Sequence, residues 1–274
     1  MEIYYINSRG DLLYLDRKPY YMTQDTDLFD SSWKYEESNR VVDNVYKGIE
    51  EKKMQIAIIG ENEPDCHNKI DELLDCVEID TANNANGKLY VGDYYINCYF
   101  VEDKKKPEYI SNNHALIELK LVQKNPYWIK ETLSKYRYED KQSTSGYDYP
   151  YDYPHSYGIN NGFYGSLENS HFAESNFVMI IYGYAVNPCV VIGGNIYRLN
   201  CTIKEGDRVV INSADQTITL IHANDQRENA FRYRDQTNDI FRKIQPGTSS
   251  VLWNAKFDFD IWLCTERSEP EWST

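Results

Sequence analysis

The residues that could carry catalysis are carboxylates, and the best-placed pair is Asp258 and Asp260 in "KFDFDIWL". Two carboxylates that face each other across a cleft are the machinery of a glycosidase. Strict alternation in this segment instead predicts a strand. Both carboxylates would then lie on a solvated face, while Phe257, Phe259 and Ile261 fill the opposite face. We therefore expect no catalytic role for this pair.

Metal and cofactor sites have no template in the sequence. The five histidines are isolated, and no HxH or HExxH motif is present. The acidic run "DTDLFD" at 25–30 suggests calcium, but it lacks the glycine and the closing glutamate of an EF-hand loop. The GxSxG, GxxxxGK[ST] and GxGxxG motifs are absent as well. We expect no catalytic residue, no bound metal and no cofactor.

Composition narrows the class of protein. The six cysteines form no CxxC pair, so we expect buried free thiols in a reducing compartment. The formal net charge of −14 argues against tight binding of nucleic acid, which needs a concentrated basic face. It still permits nucleic acid to pass without sticking. Neither a membrane span nor a secretory signal is visible, so we expect a soluble protein made in the cytoplasm.

Residues 1–132 are predicted to form a β-rich domain with one helix. "EIYYINSRGDLLYL" predicts a β-hairpin around a Ser-Arg-Gly-Asp turn. The helix is predicted over Pro64–Val77, where apolar residues recur at helical spacing and Pro64 suits the first turn. Residues 19–36 are predicted to form a long loop or arm. Further strands are predicted at 53–60, 88–91, 94–102 and 112–122.

The C-terminal half is predicted to be an all-β sandwich over residues 171–274. Short apolar strands recur there about every ten residues, with turns such as Gly193-Gly194-Asn195 between them. Residues 133–170 show little apolar periodicity and are predicted to be a Tyr/Pro/Gly-rich linker or loop. The fold class is therefore mostly β in both halves.

The oddest stretch is "TSGYDYPYDYPHSYG" at 144–158. Its prolines favour extended geometry, so we interpret it as a semi-rigid connector or a loop on a protein surface. Tyrosine gives large contact area at low entropy cost. Stacking on a glycan and plain disorder are the alternatives. The candidate residues for contact with a neighbouring protein are Tyr147, Tyr149, Tyr151 and Tyr153.

Several segments, in their order and spacing, resemble the distal tail proteins of phages of Gram-positive bacteria. They are the opening hairpin, "DLFDSSWKYE", "GKLYVGDYYINCYF", "KNPYWIKE", "NFVMIIYGYAVNPCVVIGGNIYRLN" and "FDFDIWLCTERSEPEW". The resemblance covers nearly the whole chain and rests on the ordered set rather than on one motif. It implies a ring-forming N-terminal domain of β-sandwich or split-barrel type over 1–132, and a galectin-like β-sandwich over 171–274. The length leaves no room for an inserted carbohydrate-binding module.

The resemblance also implies a structural role without catalysis. A homo-hexameric ring would join the tail tube above to the tail tip or baseplate hub below, in the virion tail, after assembly in the host cytoplasm. Receptor-binding or adsorption proteins would dock outside, and DNA would pass through the channel without specific binding. A closed ring needs two different faces per subunit, so Leu28, Phe29 and Trp33 are candidate interface residues. The alternative is that Phe29 and Trp33 lie in the core of their own domain.

Two other functions stay open on the sequence alone. The galectin-like sandwich and the tyrosines allow a carbohydrate-binding module for host recognition, which predicts saturable glycan binding by residues 171–274. Unrecognised carboxylates allow a tail-associated hydrolase, which predicts activity that disappears in Asp258→Asn or Asp260→Asn.

Overall fold

The computed structural model describes residues 2–105, 113–138, 163–253 and 257–271, with only the backbone described at 163–164. The chain divides into two compact units. The first comprises Met1–Lys130 and Glu266–Thr274, and the second comprises Glu131–Thr265. Both units are mostly β, and the described residues contain one α-helix, which lies in the first unit. The predicted fold class is confirmed. No described helix is long and apolar enough to cross a membrane.

The first unit is built from short N-terminal strands, one helix and three long strands. Its elements are β1 (Ile3–Ile6), β2 (Leu12–Tyr14), β3 (Asp16–Arg17), β4 (Tyr20–Met22), β5 (Lys34–Ser38), β6 (Val41–Tyr46), β7 (Glu50–Ile59), α1 (Glu63–Ala82), β8 (Gly87–Val91), β9 (Tyr94–Lys105), β10 (His114–Gln123) and the start of β11 (Trp128–Tyr136).

Strand β9 organises the sheets of the first unit. Its first half pairs with β8, which pairs with β1 and through β1 with β2. Its second half pairs with β10, which pairs along its whole length with β7. Helix α1 contacts β9, β7 and β10, and buries Ile70, Leu73 and Val77 in the core of this unit. The predicted opening hairpin is confirmed as β1–β2, with Gly10 at φ 92° in its turn.

Helix α1 begins as predicted but continues past the predicted end. The side chain of Asn62 caps it by accepting the backbone N–H of Asp65 at 3.0 Å. The helix runs to Ala82, because the buried face continues through Cys76 and Val77 to Asp80. The apolar pattern in the sequence stops before Asp80 because this buried residue is a carboxylate, although the helix continues.

The second unit is a sandwich of two sheets around one core. One sheet has the order β20-β19-β18-β13-β22 and the other β12-β21-β15-β16, and residues of both share the core of Phe177, Val209, Val190, Trp253 and Phe259. Its strands are β12 (Phe163–Asn169), β13 (Asn176–Tyr182), β14 (Ala185–Val186), β15 (Cys189–Ile192), β16 (Asn195–Arg198), β17 (Thr202–Ile203), β18 (Arg208–Asn212), β19 (Thr217–Ile221), β20 (Arg227–Asn229), β21 (Gly247–Trp253) and most of β22 (Phe259–Arg267).

Part of the segment predicted as a linker is strand. Residues 163–169 form β12, which pairs with β21 over its whole length. The apolar alternation is weak there because the strand contains Gly165, where an added Cβ would lie 2.9 Å from the Tyr136 ring. Glycine allows that ring to approach the backbone. Tyr147, Tyr149, Tyr151 and Tyr153 lie outside the described residues.

Candidate assembly surface

The most exposed apolar part of the described chain is a hairpin that we call the arm, residues 33–46. Strands β5 and β6 pair with each other in a two-stranded sheet of their own. The two turn residues, Asn39 and Arg40, have φ of 50° and 64°. Positive φ at both central residues is typical of the type I′ turn, whose twist matches that of hairpin strands. The arm is therefore a regular hairpin. Within residues 19–36, predicted as a loop or arm, the structure has β4 and the start of β5.

The base of the arm is fixed within the first unit by a cation between two aromatic rings. The Lys47 ammonium lies 5.5 Å from the centre of the Trp33 ring and 5.0 Å from that of Tyr127. It also donates to Ser31 Oγ at 2.8 Å and to the Pro126 carbonyl at 3.2 Å. Burial lowers the pKa of Lys47. These contacts hold the entry and exit of the hairpin together.

One face of the arm is mostly apolar and carries one charged side chain, Glu37. Tyr35 lies opposite Val45, and Val42 lies opposite Glu37, so these side chains share a face with Trp33 by strand period. Every residue of both strands is exposed, and Tyr35 keeps 62% of its accessible surface. Seven of the fifteen exposed large hydrophobic side chains in the described residues fall between 33 and 49. Such a concentration of exposed apolar side chains is typical of interaction sites.

The three interface candidates from the sequence occupy different environments. Leu28 is buried in the core of the first unit, and Phe29 packs against that core and stacks on Trp128 at 5.9 Å. Trp33 is 52% exposed at the base of the arm. Their role at an interface stays a prediction, and Trp33 is the one placed to reach a partner directly.

Sequence reasoning did not identify Tyr35, Val42 and Val45. The available signal was "KYEESNRVVDNVY", in which two β-prone runs flank Asn39-Arg40. The signal is weak because both faces of the arm are exposed, and no inward–outward alternation marks its strands.

The carboxylate pair in the second unit is an anchor for the backbone. Asp260 is buried, and its two oxygens accept from the Arg137 guanidinium at 2.6 Å and the Tyr182 hydroxyl at 2.9 Å. Asp258 accepts the backbone N–H of Tyr138 at 2.7 Å. The predicted solvated face is therefore wrong for Asp260. Asp260 is buried because Arg137, which is remote in the sequence, supplies a neutralising positive charge.

The opposite face of the same segment is buried as predicted, with Phe257, Phe259 and Ile261 in the core of the second unit. Burial and the hydrogen bond to Asp260 raise the pKa of Tyr182, and the same carboxylate raises the pKa of Arg137. The cluster is thus satisfied internally, and its evident effect is to fix the chain around Arg137.

The acidic run at 25–30 also serves local structure. Asp25 accepts from the side chain of Gln55 at 2.6 Å, and Asp27 accepts the backbone N–H of Lys53. The Asp30 carbonyl accepts from the Lys52 ammonium. These bonds tie the segment before the arm to β7. Among the described residues, no three His, Cys, Asp or Glu side chains are grouped so as to hold a metal ion.

The six cysteines are free thiols, as the sequence predicts, and four of them are buried. Burial raises the pKa of Cys76 to about 11. A thiol held protonated in this way is a poor nucleophile. Cys76 therefore acts as a small apolar side chain in the core of the first unit.

Comparison with solved structures finds the same fold in phage tail components. The SPP1 Dit (gp 19.1) protein, described as a paradigm of the hub adsorption apparatus in phages infecting Gram-positive bacteria, aligns with a TM-score of 0.57. It is 9% identical, over 97% of this chain and 98% of that chain. A chain of the phage P2 baseplate in its activated conformation with Ca aligns with a TM-score of 0.60 and 13% identity.

The alignment with the P2 baseplate chain with Ca covers 98% of this chain and 100% of the baseplate chain. The same baseplate with Sr gives a TM-score of 0.61 and 13% identity, over 98% of this chain and 99% of that chain. No protein-family model and no curated protein sequence matches the chain. The resemblance seen in the sequence is confirmed at the level of the fold: this chain has the fold of SPP1 Dit and of the P2 baseplate chain, over nearly its whole length.

Proposed function

We propose that this chain is a structural distal tail protein of a phage or prophage, whose copies form a six-membered ring through the first unit. The observation that carries the proposal is the arm. A regular hairpin with an exposed apolar face is costly in an isolated subunit. It is expected in a subunit that is completed by a neighbour. The shared fold with SPP1 Dit and the P2 baseplate chain supports the class of assembly.

A ring built from identical subunits needs a heterologous contact, in which one face of each copy meets a different face of the next. The arm supplies one of these faces. Aromatic anchors such as Trp33 and Tyr35 typically contribute roughly 2 kcal/mol or more each at such contacts. The face that receives them must offer both apolar surface and matching polar groups.

The remaining parts of the role follow from a ring at the distal end of a tail. The tail tube would contact one side of the ring and the tip or baseplate hub the other, with receptor-binding or adsorption proteins outside. The net charge of −14 suits a channel through which DNA passes without binding. The protein would assemble in the host cytoplasm, reside in the virion tail, and use no catalysis, metal or cofactor.

The second unit would be a docking module. Under this proposal the galectin-like sandwich, about 171–274, faces outward. The tyrosines at 147, 149, 151 and 153 contact a neighbouring tail protein. The small exposed apolar residues of the sandwich, such as Val186, are not needed for ring closure.

The test is the mass of the purified chain by light scattering over a concentration series, with negative-stain images of the same samples. The expected particle has six times the 32.2 kDa subunit mass and a central channel. A monomer at every concentration overturns the self-assembling ring.

A matched pair of variants links the ring to the arm. Val45→Glu places a charge on the apolar face of the arm and is expected to abolish the ring. Val186→Glu places the same charge at an exposed strand position of the second unit and is expected to leave the ring intact. Loss of the ring in both variants, or in neither, contradicts the role given to the arm.

A further inference from the structure

The first unit carries an ordered row of aromatic side chains that we call the tyrosine ladder, residues Tyr14, Tyr4, Tyr90 and Tyr95. The register places them directly opposite one another across four neighbouring strands, β2, β1, β8 and β9. Residues of the other strand face, including Tyr5, Leu89 and Ile96, are buried in the core. The ladder therefore lies on the other face of this sheet, where Tyr14 is exposed, Tyr4 and Tyr90 are half-buried and Tyr95 is buried.

The two central rings of the ladder, Tyr4 and Tyr90, stand upright on the sheet. Tyr4 and Tyr90 stack with their centres 4.6 Å apart and their planes within 10°. That spacing is close to the distance between neighbouring strands, so the ring planes are perpendicular to the sheet. The flat faces of these two rings are turned toward one another, whereas Tyr14 is tilted by 58° to Tyr4 and Tyr95 by 42° to Tyr90. A sugar ring stacks on a flat face, so the middle of the ladder is poorly shaped for glycan. Its ridges suit interdigitating side chains instead.

The ladder already holds cations at both ends. The Arg17 guanidinium lies 4.0 Å from the centre of the Tyr14 ring and is paired with Glu2 at 2.8 Å and Asp16 at 2.9 Å. The Lys88 ammonium lies 4.0 Å from the centre of the Tyr95 ring. A tyrosine ring flanked by carboxylates is thus a working guanidinium site on this surface.

The middle of the ladder combines apolar surface with negative charge. Burial raises the pKa of Tyr4, and the nearby charges of Glu2 and Asp93 raise it further. The Asp93 carboxylate is largely exposed, and its one ion pair among the described residues is with Lys130 at 3.1 Å. An incoming segment that carries a cation beside small apolar side chains matches this surface.

The tip of the arm has that chemistry. Arg40 forms no ion pair with any described residue, and the exposed Val41 and Val42 follow it. Arg40 holds φ at 64°, a position in a type I′ turn where glycine is strongly preferred. An arginine in this conformation is unfavourable for the backbone. Its presence therefore indicates that the side chain makes a favourable contact. No described carboxylate of the same chain pairs with the Arg40 guanidinium.

We infer that the tip of the arm of one copy docks on the tyrosine ladder of the next copy, with Arg40 over the ring edges near Asp93 and Val42, on the apolar face of the arm, against the rings. The inference rests on the proposed ring, whose two faces would be the arm and the ladder. The tyrosine ladder is the surface of each copy that receives the arm of its neighbour.

The test is inter-subunit cross-linking of the full chain carrying Val42→Cys and Tyr14→Cys together, with a short bis-maleimide reagent. Each single variant serves as the control for reaction with the native thiols. The expected result is a series of cross-linked oligomers up to the ring size in the double variant, and only background cross-linking in the single variants. An assembled ring without these cross-linked oligomers overturns the docking site and leaves the ring standing. A monomer throughout overturns the ring and the docking site together.

Two substitutions separate docking from folding. Arg40→Gly suits the turn, so the hairpin is expected to be at least as stable, yet the concentration for half assembly is expected to rise about tenfold. Tyr14→Glu is expected to raise that concentration similarly or more. Tyr21→Glu is its control, because Tyr14 and Tyr21 are 36% and 38% exposed in strands of the same unit. Assembly unchanged by Arg40→Gly and Tyr14→Glu overturns the inference and frees the ladder for a different tail protein.

Discussion

The two units of this chain bury their apolar residues to different degrees. The sandwich of the second unit places its large aromatics in one interlocked cluster, in which Phe259 stacks on Tyr136 at 4.7 Å and meets Trp253 edge-on at 5.3 Å. The first unit also has an extensive buried core under α1 but leaves more large apolar side chains exposed outside it. Eleven of the fifteen exposed large hydrophobic side chains in the described residues belong to the first unit.

The two units differ in how much of their apolar surface would be covered by a partner. Folding stability is marginal, so exposed apolar surface that brings no binding gain is a cost in solubility and specificity. In the second unit, the few exposed apolar side chains are scattered. In the first unit, six of the eleven lie on the arm. Under the proposed function, the first unit is a part whose surface is completed by assembly, and the second is a module that folds without such a contact.

The largest expected effect is Phe259→Ala in the second unit. It removes a ring with no accessible surface, and loss of such a ring costs about 3–5 kcal/mol of unfolding free energy. Urea unfolding monitored by hydrogen exchange should show the loss in peptides of the second unit. Phe172→Ala, at a ring that is 83% exposed, is the control and should change stability by less than about 0.5 kcal/mol. Equal loss of protection in the first unit would show that the two units do not fold independently.

The second effect is Tyr5→Phe in the first unit. The Tyr5 hydroxyl donates to the buried Asp80 carboxylate, which also accepts the backbone N–H of Ser8 at 2.7 Å. Removing the donor leaves a buried carboxylate under-satisfied, at a cost of about 1–3 kcal/mol. Hydrogen exchange should report the loss in α1 and the opening hairpin. Tyr35→Phe on the arm should leave stability unchanged, and a loss as large as that of Tyr5→Phe would contradict the assignment.

The third prediction concerns assembly rather than stability. Tyr35 on the arm and Tyr184 in the second unit are both 62% exposed, so they form a matched pair. Tyr35→Ala should weaken ring assembly by roughly 2 kcal/mol, about thirtyfold, while the unfolding free energy of the monomer stays the same. Tyr184→Ala should do neither. Light scattering over a dilution series measures the first quantity and urea unfolding the second. An equal effect of both variants on assembly would erase the contrast between the units.

Local periodicity predicted the parts of this fold whose two faces differ. Helix α1 and the opening hairpin bury one side, and the pattern of Ile70, Leu73 and Val77 marks that side in the sequence. The pattern failed where this contrast is missing or disguised. The strands of the arm are exposed on both faces. In β12, the ring of Tyr136 occupies the space that a side chain at Gly165 would need.

The burial of two polar residues was not predicted from the sequence, for a different reason. Asp80 and Asp260 lie on buried faces because Tyr5 in one case and Arg137 in the other reach them from remote positions in the chain. No local window contains both members of either pair. The candidate assembly surface was located only to the neighbourhood of Trp33, since Tyr35, Val42 and Val45 become one face only when the register of the hairpin is known.

The smallest effect is Tyr197→Phe, and its pH dependence tests the burial of the second unit. The Tyr197 hydroxyl donates to the Arg242 carbonyl at 2.7 Å, so the variant should lose about 1 kcal/mol near pH 8. Burial raises the pKa of Tyr197 to about 12, above its usual value of about 10. The unfolded chain therefore releases this proton before the folded chain does. The stabilising contribution of the protonated hydroxyl is full below pH 10 and is lost as pH rises toward 12.

Phenylalanine cannot titrate, so the variant escapes this loss. The difference in unfolding free energy between wild type and Tyr197→Phe should accordingly narrow between pH 8 and pH 11. Tyr136→Phe should behave in the same way, because burial also raises the pKa of Tyr136 to about 12 and its hydroxyl donates to the Ser166 carbonyl at 2.9 Å. Tyr184→Phe, at an exposed position, should match wild type at both pH values. A constant gap for Tyr197→Phe would mean that its hydroxyl ionises as readily in the folded sandwich as in the unfolded chain, and that the core of the second unit is more open than its packing indicates.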